Sequence, residues 1–338
     1  ETSEIVAQAI RKAVEGAGLP AGVFGHVHGA GNETGRALVT HRHTRAVGFT
    51  GSFGGGKALF DWAGQRKDPI PVFAEMGSIN PVFLLPGKLR SGPKEVAALL
   101  AGSITQGVGQ FCTNPGLIIG MKGDGLDRFI AELGTAIANA APGTMLHPGI
   151  AKAYTEKRGA ALAQTDVATV AVSATNPGAD QGVPTLASAS AEAFFRNPLL
   201  HQEVFGPYSL IVQCRTPAEM LQVARHMEGQ LTTSLFATDQ DLHEHADLVQ
   251  AVEDICGRLI LNGVPTGVRV ALAMQHGGPF PATTDSRFTS VGADGMRRWA
   301  RPLCYQDWTD YLLPDALKNS NPLGIWRTVN NKLTRDPI

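Results

Sequence analysis

The sequence predicts an α/β protein built on a parallel sheet with crossover helices, and three observations lead there. Short apolar runs of strand length alternate with segments of helical periodicity along most of the chain. The 338 residues are 43% hydrophobic and 17% charged, enough to bury a substantial core in two domains or one large one. No internal repeat or low-complexity linker breaks the pattern, which sets aside solenoids and fibrous arrays.

The elements follow in order. Ile5, Ala9, Ile10, Ala13 and Val14 share one face of an opening helix, which Gly16 and Gly18 end. Gly22 to His28 reads as a short strand, Gly29-Ala30-Gly31 as a turn and Thr34 to Thr40 as a short helix. Arg45 to Thr50 is a strand, Phe53 to Ala63 a helix and Pro71 to Glu75 a strand. Pro81 to Leu85 is a further strand, followed by a helix over Lys94 to Gly107 with Val96, Leu99, Leu100 and Ile104 inward. Gly116 to Met121 is a strand and Leu126 to Ala138 a helix. Periodicity is weak over 141–200, strand and helix alternate again from Tyr208 through Val264, and 275–290 is a polar Gly/Pro/Thr-rich loop. The last twenty residues read as a surface tail.

Composition narrows the function classes. The net charge is −1 with no long basic run, which gives non-specific nucleic-acid binding little support. No apolar segment is long enough to cross a membrane and no signal pattern opens the chain. The cysteines Cys112, Cys214, Cys256 and Cys304 are scattered without a CxxC pair, as expected of free thiols in a reducing cytoplasm.

Three local motifs can carry chemistry. Gly109-Gln110-Phe111-Cys112-Thr113-Asn114 puts Cys112 on a loop between a helix and a strand, where a nucleophilic thiol gains exposure and nearby backbone donors. The bland reading is a buried structural cysteine. Phe73-Ala74-Glu75-Met76-Gly77 leaves Glu75 at a strand end, where entry into a cleft raises a carboxyl toward a base's working range; the bland reading is a solvated Glu. Val47 to Ala58 runs from a strand through a Gly-rich turn into a helix, a geometry suited to phosphate. Ala58 stands where a nucleotide triphosphatase needs a hydroxyl for magnesium, so a dinucleotide pyrophosphate fits better than a triphosphate. His26, His28, His41 and His43 invite a zinc reading, but no cysteine or clear carboxylate joins them in the sequence, and no metal is expected.

In order, Phe49-Thr50-Gly51-Ser52, Glu75-Met76-Gly77, Gly109-Gln110-Phe111-Cys112 and Glu203-Val204-Phe205-Gly206-Pro207 resemble the aldehyde dehydrogenase superfamily. The resemblance runs from residue 1 to about residue 310. It implies a Rossmann-like cofactor domain, of which 1–75 is the C-terminal part, an α/β catalytic domain over 76–300, and a C-terminal return and tail over 301–338. Thr50, Gly51 and Ser52 would meet the cofactor pyrophosphate, and Glu203 and Phe205 the nicotinamide ribose and ring. Cys112 would be the nucleophile, Glu75 the general base, and Phe111 a wall of the substrate site. The loop from His276 to Gly292, with Ala300 to Gln306, looks like the α-ketoglutaric semialdehyde (2,5-dioxovalerate) dehydrogenase branch, whose members often prefer NADP over NAD. Family assemblies imply a homodimer or homotetramer.

The resemblance also implies a missing N-terminal region, which carries the family's oxyanion-hole Asn, its adenosine-ribose Lys and most of its oligomerisation arm. A truncated, incompetent fragment and a CoA-acylating enzyme therefore stand as rivals, the second disfavoured by Glu75. A cofactor-free cysteine hydrolase ranks last, because the sequence pairs no histidine with Cys112. Arg287 is the candidate anchor for the distal carboxylate of a semialdehyde, through a guanidinium fork. Its rival reading is a surface arginine paired with Asp285 or Asp294.

Overall fold

The computed structural model describes residues 2–29 and 31–338. It divides into two units, residues 2–298 and 299–338. In the first, helices α1 (Thr2–Gly16) and α2 (Glu33–Thr40) precede strand β1 (Val47–Thr50), helix α3 (Phe53–Gly64) and strand β2 (Val72–Glu75). Strands β1 and β2 pair in parallel, Thr50 beside Glu75.

A larger sheet follows. Its components are β3 (Val82–Leu84), α4 (Pro86–Ser91), α5 (Pro93–Thr105), β4 (Leu117–Met121), α6 (Asp124–Asn139), β5 (Gly143–Thr144), α7 (Pro148–Leu162), β6 (Val167–Val172), β7 (Gln181–Gly182), β8 (Thr185–Ser190) and α8 (Ala191–Arg196). The chain continues through β9 (Tyr208–Cys214), α9 (Pro217–His226), β10 (Gln230–Phe236), α10 (Asp239–Glu244), α11 (Ala246–Glu253) and β11 (Cys256–Leu261). Seven of these strands form one sheet in the order β11-β10-β3-β4-β9-β8-β6, and only β6 runs antiparallel to its neighbour.

Alternation along the central strands divides the core between two faces. Val82, Leu84 and Ile118 meet Leu100 of α5 and Phe129 and Leu133 of α6. Phe83 and Ile119 point the other way, toward Tyr154, Phe194, Val223 and Val252 on α7, α8, α9 and α11. Strands covered on both faces read as continuous apolar runs, which is why β3 and β4 stand out in the sequence.

Several expectations change. Gly22 to His28 is not a strand: Ala21–Val23 forms one 3₁₀ turn, and no described strand pairs with the extended residues after it. In the expected turn Gly29-Ala30-Gly31, Ala30 lies outside the described residues. The opening helix forms, but Ile5 and Ile10 are exposed and Ala7 is its buried residue. In α5, Val96, Leu100 and Ile104 are buried while Leu99 is exposed, because it lies about 100° round the helix from the middle of that face. The weakly periodic stretch 141–200 holds α7, β6, β8 and α8. The buried strand β8 is Thr-Leu-Ala-Ser-Ala-Ser, whose small side chains give little hydrophobic signal.

Residues 299–338 contain more than a tail. Strands β12 (Arg327–Val329) and β13 (Lys332–Thr334) pair antiparallel. Asn330 and Asn331 both take positive φ, 48° and 64°, as the two central residues of a type I′ hairpin turn must.

Candidate active site

The site begins where β2 ends. The 275–290 loop lies along that end: Met76 N donates to Ala282 O at 2.8 Å and Thr284 N to Ala74 O at 3.0 Å. Two glycines let the loop reach it. A Cβ on Gly278 would lie 2.0 Å from Gln230 O, and one on Gly257 would lie 2.0 Å from Gly277 O. Only bare backbone passes there. His276, immediately before Gly277-Gly278, is thereby set against Glu75, Nδ1 to Oε2 at 2.9 Å, with both side chains buried. Ser290 Oγ donates to the same Oε2 at 2.6 Å.

Cys112 arrives from the other side. Shortly after α5 come three consecutive residues of positive φ, Gly107 at 55°, Val108 at 59° and Gly109 at 64°. A β-branched residue there costs about 1–2 kcal/mol. Packing offsets it: Val108 methyls fill the space that a Cβ on Gly143 or Gly182 would occupy. Gly109 is held against Gly206, whose carbonyl carbon would lie 2.3 Å from an added Cβ, so two motifs almost a hundred residues apart touch through backbone. Behind the thiol, Asn80 Nδ2 donates to Cys112 O at 2.9 Å and Asn114 O at 3.0 Å. Gln230 Oε1 in turn accepts from Ser78 Oγ, Ile79 N and Asn80 N. The Cys112 backbone is thus fixed independently of its side chain.

The half-buried thiol meets His276: Sγ lies 3.5 Å from Nε2. Cys112, His276 and Glu75 cluster, their ligand atoms within 4.8 Å of one another, and Ser290 bonds the carboxylate. The contact with Cys112, followed by that with Glu75, pushes the His276 imidazole up to about 9. Burial pushes the Glu75 carboxyl up, but hydrogen bonds from His276 and Ser290 outweigh it and hold Glu75 below its ordinary value. A proton on Nδ1 shared with Glu75 leaves Nε2 to take the thiol proton, the arrangement of a nucleophile, a base and a group that orients the base.

Sequence reasoning placed Cys112 and Glu75 but paired no histidine with the thiol, and His276 corrects that. The signal was present: His276 opens the quoted loop, immediately before Gly277-Gly278. Sequence gave no distance across the 164 residues between His276 and Cys112. Ser290, Asn80 and Gln230 were also missed. Arg287 takes the second of its two expected forms: Nε and the Nη2 nitrogen bind Asp285 at 2.8 and 2.6 Å, and its side chain is 81% exposed. Phe111 is half-buried, its ring against Gly107. The carboxylate that the histidine set lacked is Glu4, whose Oε2 lies 3.4 Å from His26 Nδ1 and 2.9 Å from His28 Nε2. His41 and His43 form a separate ring pair.

The residues expected to meet a dinucleotide lie in two places near the end of β2. Thr50 and Gly51 are exposed at the carboxyl end of β1, and Gly51 N donates to Glu75 O at 3.0 Å. Ser52 caps α3 by accepting from Gly55 N; Phe53 and Gly54 of the first turn are exposed and Gly56 is buried. Beyond Glu75, the carboxylate of Glu203 lies against Gly77, in a cavity it shares with Ser78, Asn114 and Phe205. Asn114 Oδ1 is buried there without a hydrogen-bond partner. A helix N-terminus, a carboxylate and an orphaned acceptor are groups that fit the phosphate and ribose of a dinucleotide.

Burial pushes the Glu203 carboxyl up to about 7. Between the ordinary value of 4.5 and about 7 the folded protein therefore binds more protons than the unfolded chain, and stability falls as pH rises through that window. The swing is at most about 3 kcal/mol. Thermal unfolding from pH 4.5 to 8 should show this decline in the wild type and a shallower one in Glu203→Gln. Parallel curves would mean that Glu203 ionises in the fold as freely as in solution.

Comparison with known proteins places the chain in a family. Residues 1–280 match the aldehyde dehydrogenase family. Alpha-ketoglutaric semialdehyde dehydrogenase 2 of Azospirillum brasilense is 46% identical over 98% of this chain and 63% of its own length. Alpha-ketoglutaric semialdehyde dehydrogenase of Acinetobacter baylyi is 43% identical over 99% of this chain and 64% of its own length. The chain thus spans a little under two thirds of these relatives. Among solved structures, glyceraldehyde-3-phosphate dehydrogenase GapN from Methanocaldococcus jannaschii, complexed with NADP, superposes with a TM-score of 0.68 at 20% identity over 83% of this chain and 59% of that one, which shows a shared fold.

Proposed function

The chain belongs to the aldehyde dehydrogenase family, and from that premise we propose that it carries the catalytic part of an NADP- or NAD-dependent oxidation of an aldehyde to a carboxylic acid. The cluster of Cys112, His276 and Glu75, with Sγ to Nε2 at 3.5 Å and Nδ1 to Oε2 at 2.9 Å, carries the reading. In the proposed reaction His276 Nε2 takes the thiol proton, and the Cys112 thiolate adds to the aldehyde carbon as a thiohemiacetal. The Cys112 backbone N–H faces the developing oxyanion. A bound nicotinamide dinucleotide supplies the hydride acceptor. Loss of hydride leaves a thioester on Cys112. Glu75, with His276, deprotonates the water that releases the acid and restores the thiol. Thr50, Gly51 and Ser52 would hold the pyrophosphate, Glu203 the nicotinamide ribose, Phe205 the ring and Phe111 the substrate.

The names of the two relatives favour α-ketoglutaric semialdehyde as substrate and 2-oxoglutarate as product. A buried carboxylate and imidazole beside the thiol favour hydrolysis over transfer to CoA. We place the boundary between cofactor and catalytic parts at residue 75, where β2 ends before the larger sheet begins. Exposed Trp308, Tyr311 and Trp326 in 299–338 would be covered in a homodimer or homotetramer. Among the described residues no helix is long and apolar enough to cross a membrane, and the four cysteines are free; we assign the protein to the cytoplasm.

The test is to supply the complete protein with α-ketoglutaric semialdehyde and NADP or NAD, and to follow reduced nicotinamide and the free acid together. Reduction without free acid, or acid formation that requires CoA, would overturn the reading. Arg287→Met belongs in the same assay. Because Asp285 already holds the exposed guanidinium, the variant should change kcat/KM by less than about threefold for this substrate and for an uncharged aldehyde of equal length. A loss confined to the anionic substrate would show that Arg287 leaves Asp285 to bind it.

A further inference from the structure

The three reactive side chains of the site differ in chemistry and converge: a thiol, an imidazole and a carboxylate each offer a ligand atom, all within 4.8 Å of one another. We propose that Cys112 and His276, the imidazole held by Glu75, also bind a thiophilic divalent cation, with Zn²⁺ the best fit, and that its occupancy reversibly blocks the nucleophile. This rests on the same cluster as the proposed reaction, but not on the reaction taking place.

The donor set matches borderline-soft metals, since thiolate and imidazole select zinc over magnesium or calcium. The spacing matches as well. Zinc–sulfur bonds of about 2.3 Å and zinc–nitrogen bonds of about 2.0 Å at a tetrahedral angle separate the two donors by roughly 3.5 Å. The observed Sγ to Nε2 distance is 3.5 Å, so neither side chain needs to move far. Glu75 already holds His276 Nδ1, which is how carboxylates orient metal-binding histidines. Ser290 fixes the carboxylate in turn. Cys112 is half-buried, which leaves a way in and an open coordination position on the solvent side. The cation of Arg258 opposes a metal by charge, but its guanidinium is tied to the carbonyls of Pro265 and Gly267.

Binding forms a metal–sulfur and a metal–nitrogen bond, releases the thiol proton to solvent and changes no oxidation state. The aldehyde then meets no free thiolate, and removal of the metal by a chelator returns the proton and the nucleophile.

The probe is Co²⁺, added to the complete protein carrying Cys304→Ser, which removes the exposed cysteine as a competing ligand. One equivalent should give the near-ultraviolet thiolate-to-cobalt charge-transfer band and the strong visible bands of four-coordinate cobalt, and Zn²⁺ should bleach them. Cys112→Ala should lack the charge-transfer band, while His276→Gln and Glu75→Gln should each weaken Co²⁺ affinity at least about tenfold. A band that survives in Cys112→Ala, or unchanged affinity in the other two variants, would overturn the proposal. Zn²⁺ should also protect Cys112 from iodoacetamide in the unmutated site, read by peptide mass; unprotected alkylation at saturating Zn²⁺ counts against the site even if a variant fails to fold. Cobalt binding without aldehyde oxidation would overturn the proposed function alone, and oxidation without cobalt binding would overturn this inference alone.

Discussion

Cys112→Ala in the complete protein should cut aldehyde oxidation by on the order of 10⁵-fold while leaving cofactor affinity within about twofold. Without Sγ no covalent adduct forms and the hydride has no tetrahedral carbon to leave from, so the whole covalent route is lost. The loop should survive, because Asn80 holds the Cys112 carbonyl and not the side chain. Burial also makes two of the other thiols poor substitutes, pushing Cys214 up to about 12 and Cys256 upward as well. Reduced nicotinamide formation and equilibrium cofactor binding, measured on the same preparation, test both halves. Oxidation at more than a trace would mean that Cys112 is not the nucleophile.

The sequence carried the site's ends better than its middle. Cys112 and Glu75 each sit in a short local motif next to a glycine, and β2, β3 and β4 are apolar runs bounded by turns, so both could be read within a ten-residue window. His276 could not, because its role depends on three passages of bare backbone: Gly277 past Gly257, Gly278 past Gln230, and the loop along β2. Each joins residues distant in sequence, and glycine pairs are too common to announce such crossings. Ser290 and Asn80 are ordinary polar residues until the fold sets them against Glu75 and the Cys112 carbonyl. The small-residue strand β8 was illegible for the opposite reason: its burial comes from its neighbours β9 and β6, not from hydrophobic side chains of its own.

His276→Gln should lower aldehyde oxidation by about 10²- to 10³-fold and slow alkylation of Cys112 by iodoacetamide at neutral pH, with no initial burst of reduced nicotinamide. Nε2 faces the thiol at 3.5 Å, so the step lost first is thiol activation. Glu75→Gln should behave differently. The amide oxygen can still accept from Nδ1–H and keep the ring in place, but the site loses the charge that stabilises an imidazolium and helps deprotonate water. Thioester hydrolysis should then slow more than hydride loss, and rapid mixing should show a burst of reduced nicotinamide followed by a slow steady state. Because the two residues act as one unit, the double variant should be little worse than His276→Gln alone. Multiplicative losses in the double variant would mean that Glu75 and His276 contribute independently of one another. Normal alkylation in His276→Gln would leave the imidazole as a structural neighbour of the thiol, with Glu75 acting on water by itself.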